Sequence, residues 1–112
     1  PAQVKRAAAL FEGGRVLLSK TVLLETEWVL RYSYGLSTKA LAHSLRALIG
    51  LSNVTVEDLE DVRQALDWFE KGLDFADALH LATGRAADSF ATFDRKLIAA
   101  ARRATKLKVA AP

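Results

Sequence analysis

Four carboxylates in this 112-residue sequence could do chemistry together. The first is Glu25. On a helical wheel turning about 100° per residue, Val22, Trp28, Val29 and Tyr32 surround it, which places it in an apolar face. Glu27 falls nearly opposite and can pair with Arg31 at i,i+4. A lone carboxylate among apolar groups is costly unless it is paired, neutralised or bound to metal. Glu25 is therefore expected to need a partner, unless it sits at the edge of the face and reaches water. Asp74 and Asp77 follow in Leu73-Asp74-Phe75-Ala76-Asp77-Ala78-Leu79-His80. Their i,i+3 spacing aims both from one end of one helix. They fit an N-cap and an N3 acid equally well, because both positions favour negative charge. Asp94 follows the apolar run Phe90-Ala91-Thr92-Phe93 and opens a helix. It too reads as an N-cap, but the carboxyl end of a strand in an α/β sheet is where ligands bind.

The elements that must hold these acids alternate between helix and strand at short intervals, as α/β units do. Residues 2–12 read as a helix stopped at Gly13-Gly14, and Val16–Ser19 as a short buried strand. An apolar helix follows over 20–34, ending at Gly35. Ser37 caps a helix with the face Leu41, Leu45 and Leu48, which Gly50 ends. Asn53–Val56 reads as a strand. Residues 57–71 form the clearest amphipathic helix, with Leu59, Val62, Leu66 and Phe69 in its stripe. Asp74 begins a helix to about Arg85, Phe90–Thr92 reads as a strand, Asp94–Ala104 as a helix and Leu107–Ala110 as a last strand. The run Glu57, Asp58, Glu60, Asp61 reads as a solvated first turn that favours the helix dipole rather than as a metal cluster.

Length and composition fit one domain over 1–112 with a single core. The chain has no cysteine, which excludes disulfides and thiolate chemistry and permits a reducing cytoplasm. It shows no signal peptide and no membrane-spanning run. There is no Gly-rich phosphate loop, and His43 and His80 lack zinc-ligand spacing. Net charge is +3 but uneven. All thirteen acids lie within residues 1–94, whereas 95–112 hold Arg95, Lys96, Arg102, Arg103, Lys106 and Lys108 and no acid. Such a tail fits a polyanion partner, or simply a solvated helix face.

The segments Leu23-Leu24-Glu25-Thr26-Glu27-Trp28-Val29-Leu30, Asp74-Phe75-Ala76-Asp77-Ala78-Leu79 and Ala91-Thr92-Phe93-Asp94-Arg95-Lys96-Leu97 resemble, in order and spacing, the PIN-domain ribonucleases. Within that family the VapC toxins of toxin–antitoxin pairs are the most similar. The resemblance implies a three-layer α/β fold with a parallel sheet flanked by helices, and a metal-dependent endoribonuclease that cuts RNA. It implies that Glu25, Asp77 and Asp94 bind Mg²⁺ or Mn²⁺ with Asp74 beside them, and that Arg95, Lys96, Arg102 and Arg103 are placed for phosphates. It further implies an antitoxin partner and a homodimer. The family opens with a strand ending in an aspartate, the first metal ligand. Neither stands in these 112 residues, so the chain is expected to be truncated at its N-terminus relative to the family. The alternative is a non-catalytic PIN-like module, or an inactive fragment, that binds a protein partner through its apolar face and uses the acids as caps.

Overall fold

Two short parallel strand pairs frame a layer of helices. The computed structural model describes residues 14–85, 87 and 89–112; the helix expected over 2–12 lies outside them. Strand β1 (Val16–Leu18) pairs with β2 (Val54–Val56), with Val16 opposite Val54 and Leu18 opposite Val56. Backbone bonds from Val16 N to Asn53 O (2.8 Å) and from Glu57 N to Leu18 O (3.0 Å) extend the ladder at both ends. Parallel neighbours need a long crossover. Here it is supplied by helices α1 (Lys20–Tyr32) and α2 (Thr38–Ile49). After β2 come α3 (Leu59–Glu70) and α4 (Phe75–Thr83). Strand β3 (Phe90–Ala91) then crosses through α5 (Arg95–Ala104) to its parallel partner β4 (Val109–Ala110). This mixed α/β arrangement agrees with the expected fold class, although among the described residues the strands form two separate pairs.

Four of the five described helices start where the sequence offers an oxygen to a free backbone N–H; α3 is the exception, its N-cap Asp58 standing at φ +47° with no side-chain cap bond. Ser19 accepts from Val22 N, and Ser37 from Ala40 N, both at 3.2 Å. Glu57 adds a second acceptor at the head of α1, taking Lys20 N–H at 2.9 Å. The core lies between α2, α3 and α4, with Leu41, Leu45, Val62, Leu66, Phe69, Phe75 and Leu79 buried. Phe69 meets Phe75 edge-on at 5.6 Å, a favourable aromatic geometry. The turn that folds α4 back on α3 passes through Gly72 at φ +111°, a conformation that side chains disfavour.

Two expectations about burial need correction. Val16–Ser19 and Phe90–Thr92 read as buried strands, yet Leu17 is 69% exposed and Ala91 is exposed. A sheet two strands wide leaves each strand an open edge, and apolar sequence alone does not report how many neighbours a strand has. The acidic run 57–61 is solvated as expected, with Glu57, Asp58 and Glu60 exposed and Glu60 and Asp61 in the first turn of α3, but it is also held by cations. The helix begins only at Leu59, and Lys20 Nζ bridges Asp58 (2.7 Å) and Asp61 (3.7 Å). Asp61 also pairs with Arg85, and Glu60 with Arg63. The hydrogen bond to Asp58 is the main reason the Lys20 ammonium is held above its usual pKa.

Candidate active site

Helices α4 and α5 bring their N-termini, and the aspartates that cap them, into mutual electrostatic range. Asp74 is the N-cap of α4, and its Oδ2 accepts Asp77 N–H at 3.3 Å. Asp94 is the N-cap of α5, and its Oδ1 accepts Leu97 N–H at 3.1 Å. Its own N–H donates to Thr92 Oγ1 at 3.1 Å. Asp77 stands half-buried in the first turn of α4. Burial pushes its carboxyl above the usual range, the charges of Asp74 and then Asp94 push it further, and His80 opposes them. Carboxylates from two chain segments thus act on Asp77.

Of the two environments its wheel position leaves open, Glu25 takes the one that reaches water. It is exposed, whereas Glu27 is only 3% exposed. The wheel identified an apolar stripe correctly but could not tell which stripe the fold covers. Helix α1 turns Leu23, Glu27 and Leu30 inward, at i, i+4 and i+7, and leaves Val22, Trp28, Val29 and Tyr32 facing solvent. The buried carboxylate is satisfied by Arg31, whose Nε lies 2.9 Å from Glu27 Oε2 and whose Nη2 bonds Oε1. The same Nη2 reaches Asp74 Oδ1 at 3.4 Å, and the pairing with Glu27 is the main cause that raises the Arg31 pKa. Arg31 therefore ties α1 to the N-cap of α4. The Glu27–Arg31 pair is the one its i,i+4 spacing predicts, whereas the reach of Arg31 to Asp74 has no sign in the sequence, because the two lie on separate elements.

Glu25 and Asp74 nonetheless line one cleft of about 600 Å³, together with Trp28, Tyr32 and Ala76. Its walls are largely apolar, and Trp28 and Tyr32 stand 5.2 Å apart at a tilt. The carboxylates that act on Asp77 are Asp74 and Asp94. Among the described residues no three acidic or histidine side chains stand close enough to form the shell of one ion. The donor chemistry still suits a hard divalent cation. Mg²⁺ takes oxygen ligands, keeps several waters, and is commonly held by only one or two carboxylates with substrate phosphates completing the shell. Mutual repulsion between Asp77 and its neighbours is the electrostatic state that a cation relieves.

The four cations expected to meet phosphate are all exposed, but they divide between the two ends of α5. Arg95 and Lys96 follow Asp94 at the N-terminal end, beside the acids. Arg102 and Arg103 stand in the last turn, about 12–14 Å along the axis at 1.5 Å per residue.

The profile of the PIN domain matches residues 2–103. No characterised protein and no solved structure gives a significant match. The family match spans nearly the whole chain, and the chain belongs to the PIN-domain family, whose members are generally nucleases that act on RNA and typically bind divalent metals. No described helix is long and apolar enough to cross a membrane.

Proposed function

We propose that the protein is a metal-dependent endoribonuclease, the toxin component of a VapC-type toxin–antitoxin pair. The observation that carries this reading is Asp77, half-buried at the head of α4 with its carboxyl raised by burial and by Asp74 and Asp94. Perturbed carboxylates of this kind concentrate at functional sites. Asp77 and Asp94 would hold Mg²⁺ or Mn²⁺, with Glu25 and Asp74 as further carboxylates at the margin of the site. A bound ion supplies an activated water and charge stabilisation at the scissile phosphate. The chain's own residues do the remaining work. Arg31 fixes Asp74, and Asp74 fixes the first turn of α4 and so the direction of Asp77. Arg95 and Lys96, adjoining Asp94, engage the phosphates on either side of the cut.

The cognate partner in this reading is an antitoxin protein, and the chain acts as a homodimer in the cytoplasm. The exposed Val22, Trp28, Val29 and Tyr32 face of α1 supports a protein partner, since contiguous apolar surface of this kind marks interaction sites. The absence of cysteine agrees with a reducing compartment.

A second reading, a non-catalytic module, is favoured by one observation: Asp74 and Asp94 are both fully credible caps. Mn²⁺ titration together with RNA cleavage separates the two. The nuclease reading expects saturable Mn²⁺ binding and Mg²⁺-dependent cleavage of single-stranded RNA, both lost in Asp77→Asn. Cleavage that survives Asp77→Asn, or the absence of both metal binding and cleavage, would overturn it.

A further inference from the structure

A second charged feature lies toward the C-terminal end of α5. The flank of α3, which presents Gln64, Trp68 and Lys71 at i, i+4 and i+7, lines a cleft of about 530 Å³ together with Arg85, which follows α4, and Arg103 and Lys106 at the end of α5, with no carboxylate in its lining. Arg85 is neutralised by Asp61. Lys71, Arg103 and Lys106 make no ion pair or side-chain hydrogen bond among the described residues. Cations near helix C-termini complement the backbone dipole, and that is the competing explanation for them. The magnitudes decide against it as the whole account. Each helix end carries about half a negative charge, and these three unpaired cations adjoin only the ends of α3 and α5, which offset roughly one of them. A surplus of positive charge remains in a concave site with an indole in its wall.

We infer that this cleft is a distal binding site for the phosphates of single-stranded RNA, engaged through Lys71, Arg103 and Lys106. The identity of the polyanion rests on the nuclease reading. Asp94 caps the start of α5 and Arg103 lies in its last turn, about 14 Å along the axis. A strand entering at the acidic site spans that distance with about four stacked nucleotides, at 3.4 Å each. The cleft then holds the strand away from the cut, so that substrate length and affinity are set by residues that take no part in the chemistry. Neither Lys71 nor Arg85 could be associated with the basic tail from sequence. They stand just past the ends of α3 and α4, and only the fold brings them into one cleft with Arg103 and Lys106.

The test is the binding of a labelled 12-nucleotide single-stranded RNA in EDTA, followed by fluorescence anisotropy across salt concentration. Each phosphate contact on a single strand contributes about 0.7 to the log–log salt slope. Arg103→Ala/Lys106→Ala should flatten the slope by about 1.4 and weaken binding about 25-fold at 0.1 M salt. Lys71→Ala should flatten it by about 0.7, and Lys39→Ala, outside the cleft, should leave it unchanged. Should the double variant fail to fold, Lys71→Ala carries the test. An unchanged slope in the cleft variants overturns the inference and returns these cations to the dipole. A mononucleotide bound as tightly as the 12-mer overturns it in favour of a small-ligand pocket. Cleft-dependent binding by a chain that never cleaves RNA supports the cleft and defeats the nuclease reading alone.

Discussion

Removing Arg31 should strand the most buried charge in the described molecule. Glu27 is 3% exposed, and Arg31 holds both of its oxygens. Breaking a fully buried ion pair by deleting one partner costs about 3–5 kcal/mol, because the remaining charge keeps its desolvation penalty and loses its compensation. The Arg31 side chain is itself 33% exposed, so its removal opens a path for water, and the discounted cost is about 2–3 kcal/mol. For a domain of this size that lowers Tm by roughly 10 °C or more. Arg31→Met, followed by urea denaturation at pH 7, should show this loss. The double variant Glu27→Leu/Arg31→Met removes both charges and should recover most of the stability. A loss below about 1 kcal/mol, or a double variant no more stable than Arg31→Met alone, would refute the claim that this pair is a desolvated structural unit.

Further outcomes follow from the acids and the turns. Asp77→Asn should abolish cleavage yet stabilise the fold near neutral pH. A carboxyl raised in the folded state contributes stability fully present below its unfolded pKa and lost as pH rises through its folded one, so the wild type should fall behind the variant over that interval in urea midpoints. Asp94→Ser keeps an N-cap oxygen but removes the carboxylate; stability should hold to within about 0.5 kcal/mol while cleavage is lost, whereas Asp94→Ala should cost about 1 kcal/mol as well. A cleaving Asp94→Ser variant would mean that Asp94 is a cap and nothing more. Gly72→Ala meets no atom within 4 Å, so its cost in thermal melting, about 1–3 kcal/mol, should come from backbone strain at φ +111° alone.

How much of this was legible in the sequence depended on the range of the interaction that decided it. Caps were readable at Ser37, Asp74 and Asp94, which bond to backbone three residues ahead, whereas Ser19, read as the end of a strand, caps α1 in the same way. The stripes of α2 and α3 were readable as well, since Leu41, Leu45, Val62, Leu66 and Phe69 are indeed buried. Glu25 reaches water, one of the two environments its wheel position leaves open, and Glu27 pairs with Arg31 as its spacing predicts, but the burial of Glu27 was not readable because helix α1 has apolar residues on two stripes, and only packing chooses between them. The strand pairing fixes that choice from a distance: β1 and β2 bring the head of α3 beside the head of α1, and Lys20 reaches Asp58 and Asp61 there. Charge composition pointed to the basic tail but not to its division between the two ends of α5. The same composition gave no sign that Lys71 would join one of those ends.

The cap reading and the metal reading of the aspartates are often treated as rivals, but the bonding assigns them different shares of each. A carboxylate has two oxygens, and an N-cap uses one. Asp74 spends Oδ2 on Asp77 N–H and lies with Oδ1 3.4 Å from Arg31. It is committed on both sides and acts as a positioning residue for α4. Asp94 uses Oδ1 on Leu97 N–H, and among the described residues its Oδ2 makes no hydrogen bond, so capping leaves it one oxygen for a ligand. Asp77 accepts no hydrogen bond among the described residues, and it carries the raised carboxyl. The order of availability is therefore Asp77, then Asp94, then Asp74. A cation drawn to this end of the helices should meet Asp77 first and be completed by Asp94, while Asp74 serves to hold Asp77 in place.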